Sequence, residues 1–414
     1  MSDGGHRRGS LLVIFLTVFV DLLGFGIVLP LLPIYADQLK PQNPGLTLGL
    51  LMASFSAMQF IFSPLWGRLS DRIGRRPVLI VGLVGSTLSY LIFGLATAYQ
   101  SLTWMFISRI GAGIAGATIS TAQAYIADTT TKEKRARGMA LIGAAFGLGF
   151  TFGPLLAATA LVTAGEEALS PWPGFTASAF SAAALMLAIF KLPESLNPQS
   201  VPSQRGWFDL ASLNEALRIP TIVGLLSAWF VSVLAFSTFE SILFFILKEP
   251  IDEGGFGYEL IDVLLIGALI GFVHALAQGM VRGLSKRMSE AKLATVGAGT
   301  SLVGFLLLVA ATGNLSLGML LFAIFVQAAG FAFIPPTIQS LISRRSDPSK
   351  QGGILGVGQS LGALARILGH GLSFPLFFIT STIPFWAGAA LMGLALVLIA
   401  LNANRGEDFR TVER

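Results

Sequence analysis

Two carboxylates and two guanidinium groups stand in this chain where long apolar runs leave little room for charge. Asp21 lies in Val20-Asp21-Leu22-Leu23-Gly24-Phe25-Gly26, and the stretch from Ser10 to Pro33 holds no other charged residue. In a helix starting near Ser10 it sits roughly 16 Å along the axis, close to the middle of a hydrocarbon layer about 30 Å thick. A carboxyl at that depth keeps its proton until water or a cation reaches it, so changing access would let it take up and release a proton. Arg109 opens Arg109-Ile110-Gly111-Ala112-Gly113-Ile114-Ala115-Gly116, and an arginine in an apolar run needs a partner or a wet cavity. Asp21 is the expected partner in the same half. Glu240 is the matching acid further on, and Arg366 completes a rough balance of charge. Enzyme chemistry finds no footing: there is no phosphate-binding G-x-x-x-x-G-K, no metal-spaced histidine cluster, and only three histidines in all. No cofactor is expected.

These residues require elements that cross a membrane. Apolar residues make up 54% of the chain and charged ones 12%, with a mean hydropathy of +0.75, values outside the range of soluble domains. A spanning helix needs roughly 20 apolar residues, and twelve candidates can be read: 10–33, 47–67, 77–98, 102–127, 138–162, 174–192, 220–247, 260–283, 293–312, 315–342, 353–379 and 383–402. Helices follow from segment length, because barrel strands are about half as long and alternate apolar with polar. The fold class is therefore all-α and integral to the bilayer. Arg7 and Arg8 precede the first run without a small-residue cleavage site after it, so that run is expected to remain as a helix.

Orientation follows from the basic residues. Of the 27 Lys and Arg, only Lys40 and Lys248 fall in one set of alternate loops, and Arg109 and Arg366 lie within spans; the rest fall on the other side with both termini. The positive-inside rule places that side in the cytoplasm, and a location in the cell membrane is expected. The high pI is thus a topology signal, and no nucleic-acid partner is expected. Cysteine is absent, which excludes disulfides and thiolate metal sites.

Shifted by 215 residues, Leu69-Ser70-x-Arg72 falls on Leu284-Ser285-x-Arg287, each after the second span of a half. The reading is a duplication: residues 1–193 as one six-helix half, 194–219 as a linker, 220–414 as the other half. Lys286 stands where Asp71 stands, and Ser289 replaces Gly74. Within the linker Trp207, Leu210, Leu213 and Leu217 recur at helical spacing and predict a short helix lying on the membrane face.

The stretch Gly67-Arg68-Leu69-Ser70-Asp71-Arg72-Ile73-Gly74-Arg75-Arg76-Pro77 packs its charges between two uncharged runs. It resembles the signature G-x-L-x-D-R-x-G-R-R of the major facilitator superfamily. That resemblance implies a monomeric transporter of small molecules working by alternating access, its substrate held between two halves. It also assigns Gly67, Asp71, Arg72, Gly74, Arg75 and Arg76 to a gating loop, with Asp128 pairing to one of its arginines. Both glycines are expected to allow close packing and unusual backbone angles.

The fifth span carries Gly143, Gly147, Gly149, Gly153 and Pro154, and is similar to the antiporter motif G-x-x-x-G-P-x-x-G-G with Ala157 and Ala158 in place of the last glycines. The tetracycline/proton antiporter branch is the closest resemblance, carried by Asp21 with Gly24, the Pro30/Pro33 pair, Met58-Gln59, Tyr125-Ile126-Ala127-Asp128-Thr129-Thr130, Phe146-Gly147-Leu148-Gly149, and His274 with Gln278. It implies Asp21, Arg109, Glu240 and His274 in proton coupling. Gln59, Ser89, Gln278 and Arg366 become the residues expected to line a substrate cavity. Two departures bear on the substrate: Ser89 stands where the branch has an acid, and Thr300-Ser301 lacks a second one. The expected function is proton-coupled export of a small amphiphilic compound. A facilitator or symporter would not need the antiporter motif, and a non-transporting scaffold or receptor would not need buried Asp21, Arg109 and Arg366.

Overall fold

The computed structural model describes residues 3–130, 135–165, 169–196, 219–346 and 351–405. The predicted interfacial helix in the linker lies outside these residues. Uncharged runs become helices because a helix satisfies its own backbone polar groups, which lipid cannot do. In chain order they are α1 (Asp3–Gln38), α2 (Pro44–Ile73), α3 (Arg75–Ala98), α4 (Leu102–Gly116), α5 (Ile119–Thr129), α6 (Arg135–Ala164), α7 (Trp172–Lys191), α8 (Pro220–Lys248), α9 (Leu260–Leu284), α10 (Glu290–Asn314), α11 (Leu317–Arg345), α12 (Gln351–Phe377) and α13 (Ile383–Asn402). Among the described residues there are no strands. With α4 and α5 taken as one run, 11 stretches are long and apolar enough to cross a membrane. The twelfth, α12, carries Arg366 and His370 in its length.

The fourth span is interrupted, which its composition does not announce. Thr118 N–H turns back to the Ala115 carbonyl (3.1 Å) instead of continuing the α-helical ladder. The carbonyls released by the interruption are received from α2: Trp66 Nε1 donates to Ile114 O at 2.7 Å and Gln59 Nε2 to Gly116 O at 3.4 Å. The break is held open by side chains that repair its hydrogen bonding.

The chain forms two compact units. One contains Met1–Asn43, Leu50–Trp207 and Glu259–Phe272; the other contains Pro44–Gly49, Phe208–Tyr258 and Val273–Arg414. They differ from halves cut in the linker by an exchange of helix ends. In the first unit Gly271 of α9 lies against the Phe150 carbonyl and Thr151 of α6; in the second, Gly49 of α2 lies against the Gly371 carbonyl of α12. A Cβ at either glycine would strike backbone.

Internal pairing repeats between the units. In the first, α1 packs on α6 and α7, and α3 on α4 and α7; in the second, α8 packs on α12 and α13, and α10 on α11 and α13. At the join of α2 and α3, Gly74 alone turns the chain with φ +106°, a conformation that costs other residues. At the corresponding place Ser289 caps α10, accepting from Lys292 N–H at 3.3 Å with an ordinary negative φ. The two copies therefore make the same turn by different chemistry.

Candidate functional site

In the first unit, Asp21 is held by neutral hydroxyls. Ser181 Oγ of α7 donates to Oδ1 at 2.6 Å and Ser86 Oγ of α3 to Oδ2 at 3.4 Å. Both serines are buried. The expected ion pair with Arg109 is not formed among the described residues. Arg109 is 1% exposed, and its Nε and Nη1 have no hydrogen-bond partner. Its guanidinium instead lies over the Phe55 ring (4.6 Å) and the Phe25 ring (5.9 Å). Facing a ring's negative π-cloud offsets part of the desolvation of the cation. Tyr90, buried over Gly24, is within electrostatic reach of both Asp21 and Arg109. The phenyl rings are themselves braced: Phe25 packs on Phe55 at 5.1 Å and edge-on to Phe150 at 5.8 Å.

The residues expected to line a cavity in this unit are placed differently. Gln59 uses its amide N–H on the broken fourth span. Ser89 is 3% exposed and wedged against Gly111, with its carbonyl accepting from Ser108 Oγ at 2.8 Å. It therefore packs α3 on α4. The glycines of α6 also pack: Gly149 lies on Leu22, and Gly153 on the backbone of Gly26 and Ile27. Pro154 continues within α6 without ending it.

The second unit gathers its charges into one cluster. Glu240 of α8 lies 3.5 Å from His370 Nε2, Oε2 to nitrogen, and within electrostatic reach of Arg366 and His274. Glu240 thus lies beside α12. Arg366 and His370 are one turn apart on one face of α12. His274 hydrogen-bonds the Ala328 backbone and packs beside Phe236 and Phe331, centroids 6.4 and 6.3 Å away. Gln278 follows one turn along α9. Where the branch's second acid is missing, Ser301 Oγ donates to Gln327 Oε1 at 2.8 Å, with Gln327 fully buried. His370 was not anticipated; its i,i+4 relation to Arg366 was the available signal.

At the α2–α3 turn, Arg75 pairs with Asp71, with Asp128 (3.0 Å) and with Ser70 Oγ (2.7 Å). Glu194 caps the start of α3, accepting from Arg75 N–H at 2.8 Å and Arg76 N–H at 3.1 Å, a carboxylate at the positive helix end. Arg76 Nη2 donates to the Ile189 carbonyl at 2.7 Å. Arg72 is exposed. Gly67 is not a close-packing position: a Cβ there would meet nothing within 4 Å. Among the described residues no three His, Cys, Asp or Glu side chains gather as a metal site.

Membrane-length helices in two units with recurring internal pairing, and ionisable groups buried in each, define a class of transporter. A profile described as Major Facilitator Superfamily matches residues 14–370, and the chain belongs to that family. It is 33% identical over 406 residues to the class C tetracycline resistance protein of Escherichia coli, covering 96% of this chain and 97% of that protein. The crystal structure of the human organic anion transporter MFSD10 (TETRAN) is similar with a TM-score of 0.72 and 26% identity, covering 95% of this chain and 99% of that one. A D-xylose-proton symporter structure, at 16% identity and a TM-score of 0.72 over 95% and 96% of the two chains, shares the fold. The protein is a multi-pass membrane transporter of the major facilitator fold, and not an enzyme.

Proposed function

We propose that the chain is a monomeric proton-coupled antiporter of the cell membrane, with both termini cytoplasmic, exporting a small amphiphilic compound by alternating access. The observation that carries this reading is the way Asp21 is held. A carboxylate locked to a guanidinium loses an ion pair when it takes a proton; one held by two serine hydroxyls loses less, because a hydroxyl that donates to the carboxylate can rotate to accept from the acid, although it holds the charged form more strongly. Asp21 can therefore change charge without dismantling its surroundings. The family and the tetracycline resistance relatives support the same direction. Arg75, drawing Asp71 and Asp128 together, supplies the gating element, and Asp71→Asn should slow transport while leaving the protein inserted.

The test uses purified protein in proteoliposomes with a pH-sensitive dye, and tetracycline and a small organic anion as probes. Wild type should release protons when an accepted probe is added, and Asp21→Asn should not. Exchange of labelled for unlabelled probe should survive in Asp21→Asn, since it needs reorientation without net proton movement. Undiminished release by the variant would remove Asp21 from the role. Probe uptake by wild type without proton movement would make the protein a facilitator.

A further inference from the structure

The second unit contains a histidine buried in a state that leaves its chemistry unfinished. His370 is 5% exposed, and neither Nδ1 nor Nε2 has a hydrogen-bond partner. A neutral imidazole has one N–H and one lone pair, and burying both unpaired is costly. Glu240 Oε2 lies 3.5 Å from Nε2, just beyond ordinary hydrogen-bond length. A small side-chain adjustment closes that gap into a charge-assisted bond once the ring is protonated. We propose that Glu240 and His370 form a second proton-carrying pair, positioned by Arg366. The proposal rests on the transport reading above.

The surroundings leave few other groups to compete. On α8 the charged residues are Glu240 and, two turns away, Lys248; α13 has none; the Pro44–Gly49 end of α2 has none; α11 has only Arg344 and Arg345 at its far end. Arg366 shares the face of α12 and is coupled to Glu240, so it balances the carboxylate whenever His370 is neutral. When a proton arrives on Nε2, the imidazolium takes over that role and Arg366 is released from it. The proton leaves to water by breaking the N–H bond it made. His274 is less suited, because one ring nitrogen is committed to Ala328 and the ring is packed beside two phenyl groups.

With only three histidines in the chain, the pair can be observed directly. Protein labelled with 13C,15N-histidine is titrated in lipid without substrate, the His370 signal being assigned from His370→Asn. In wild type, the His370 ring should take up and release a proton in the course of the titration. In Glu240→Gln it should stay neutral over the range where wild type becomes charged. A wild-type His370 that never changes charge, or one whose titration ignores Glu240→Gln, overturns the proposal. Should His370→Asn fail to accumulate, His274→Asn supplies the assignment by elimination, since His6 lies near the terminus. A titrating pair in a protein that moves no protons with any probe would refute the transport reading and with it the carrying role of the pair, whereas a His370 that never changes charge in a protein that does move protons would overturn this proposal alone.

Discussion

Arg75 reaches Asp71, Asp128 and Ser70 from one guanidinium whose side chain is 9% exposed, so its loss and the loss of a single partner should be unequal. Arg75→Ala strands two carboxylates and should cost about 3 kcal/mol; Asp71→Asn leaves Arg75 on Asp128 and should cost about 1 kcal/mol. Denaturation midpoints in mild detergent measure both, and equal losses would mean that Asp71 alone holds the turn. Such residues were legible in the sequence because a charge stands out from an apolar run: Asp21, Arg109, Glu240, Arg366 and the signature loop were all visible. Partner choice was not. Asp21 is held by serines 65 and 160 positions away, and nothing in a serine's neighbourhood in sequence marks it for that task. Arg109 finds phenyl rings, which an apolar segment offers everywhere. His370 was overlooked for another reason: its one signal, the i,i+4 spacing from Arg366, says nothing until Glu240 is placed beside it.

Helix lengths and the duplication could be read because membrane thickness fixes the first and a 215-residue shift exposes the second. What the pattern concealed was geometry within elements. The break after Gly116 depends on Trp66 and Gln59 from another helix, and the glycines of the two motifs turn out to serve unlike purposes. A Cβ on Gly153 would come within 2.6 Å of Gly26 Cα, backbone that cannot step aside, whereas Gly67 faces open space inside α2. Gly153→Val should therefore leave little folded protein in the membrane. Gly67→Ala should accumulate normally and gain about 0.5–1 kcal/mol from better helix propensity. Quantitative immunoblotting of membranes and detergent melting curves decide it; a well-folded Gly153→Val would mean that α1 and α6 do not depend on this contact.

For the molecule as a whole, the proposed orientation makes the loop after α9 cytoplasmic and the loop after α8 external. The absence of cysteine lets single substitutions report on this without background. Lys286→Cys and Asp252→Cys both occupy exposed positions. In intact cells an impermeant maleimide should modify only Asp252→Cys, and reaction at Lys286→Cys would reverse the topology. The exchanged helix ends carry a different consequence, for the protein as two separate polypeptides. If the gene is cut within residues 197–218, the piece carrying Pro44–Gly49 and the piece carrying Gly371 each hold part of the same compact unit. Neither product is then complete by itself. Each synthesised alone should be cleared by membrane proteases, and the two made together should protect one another and copurify through a tag on either.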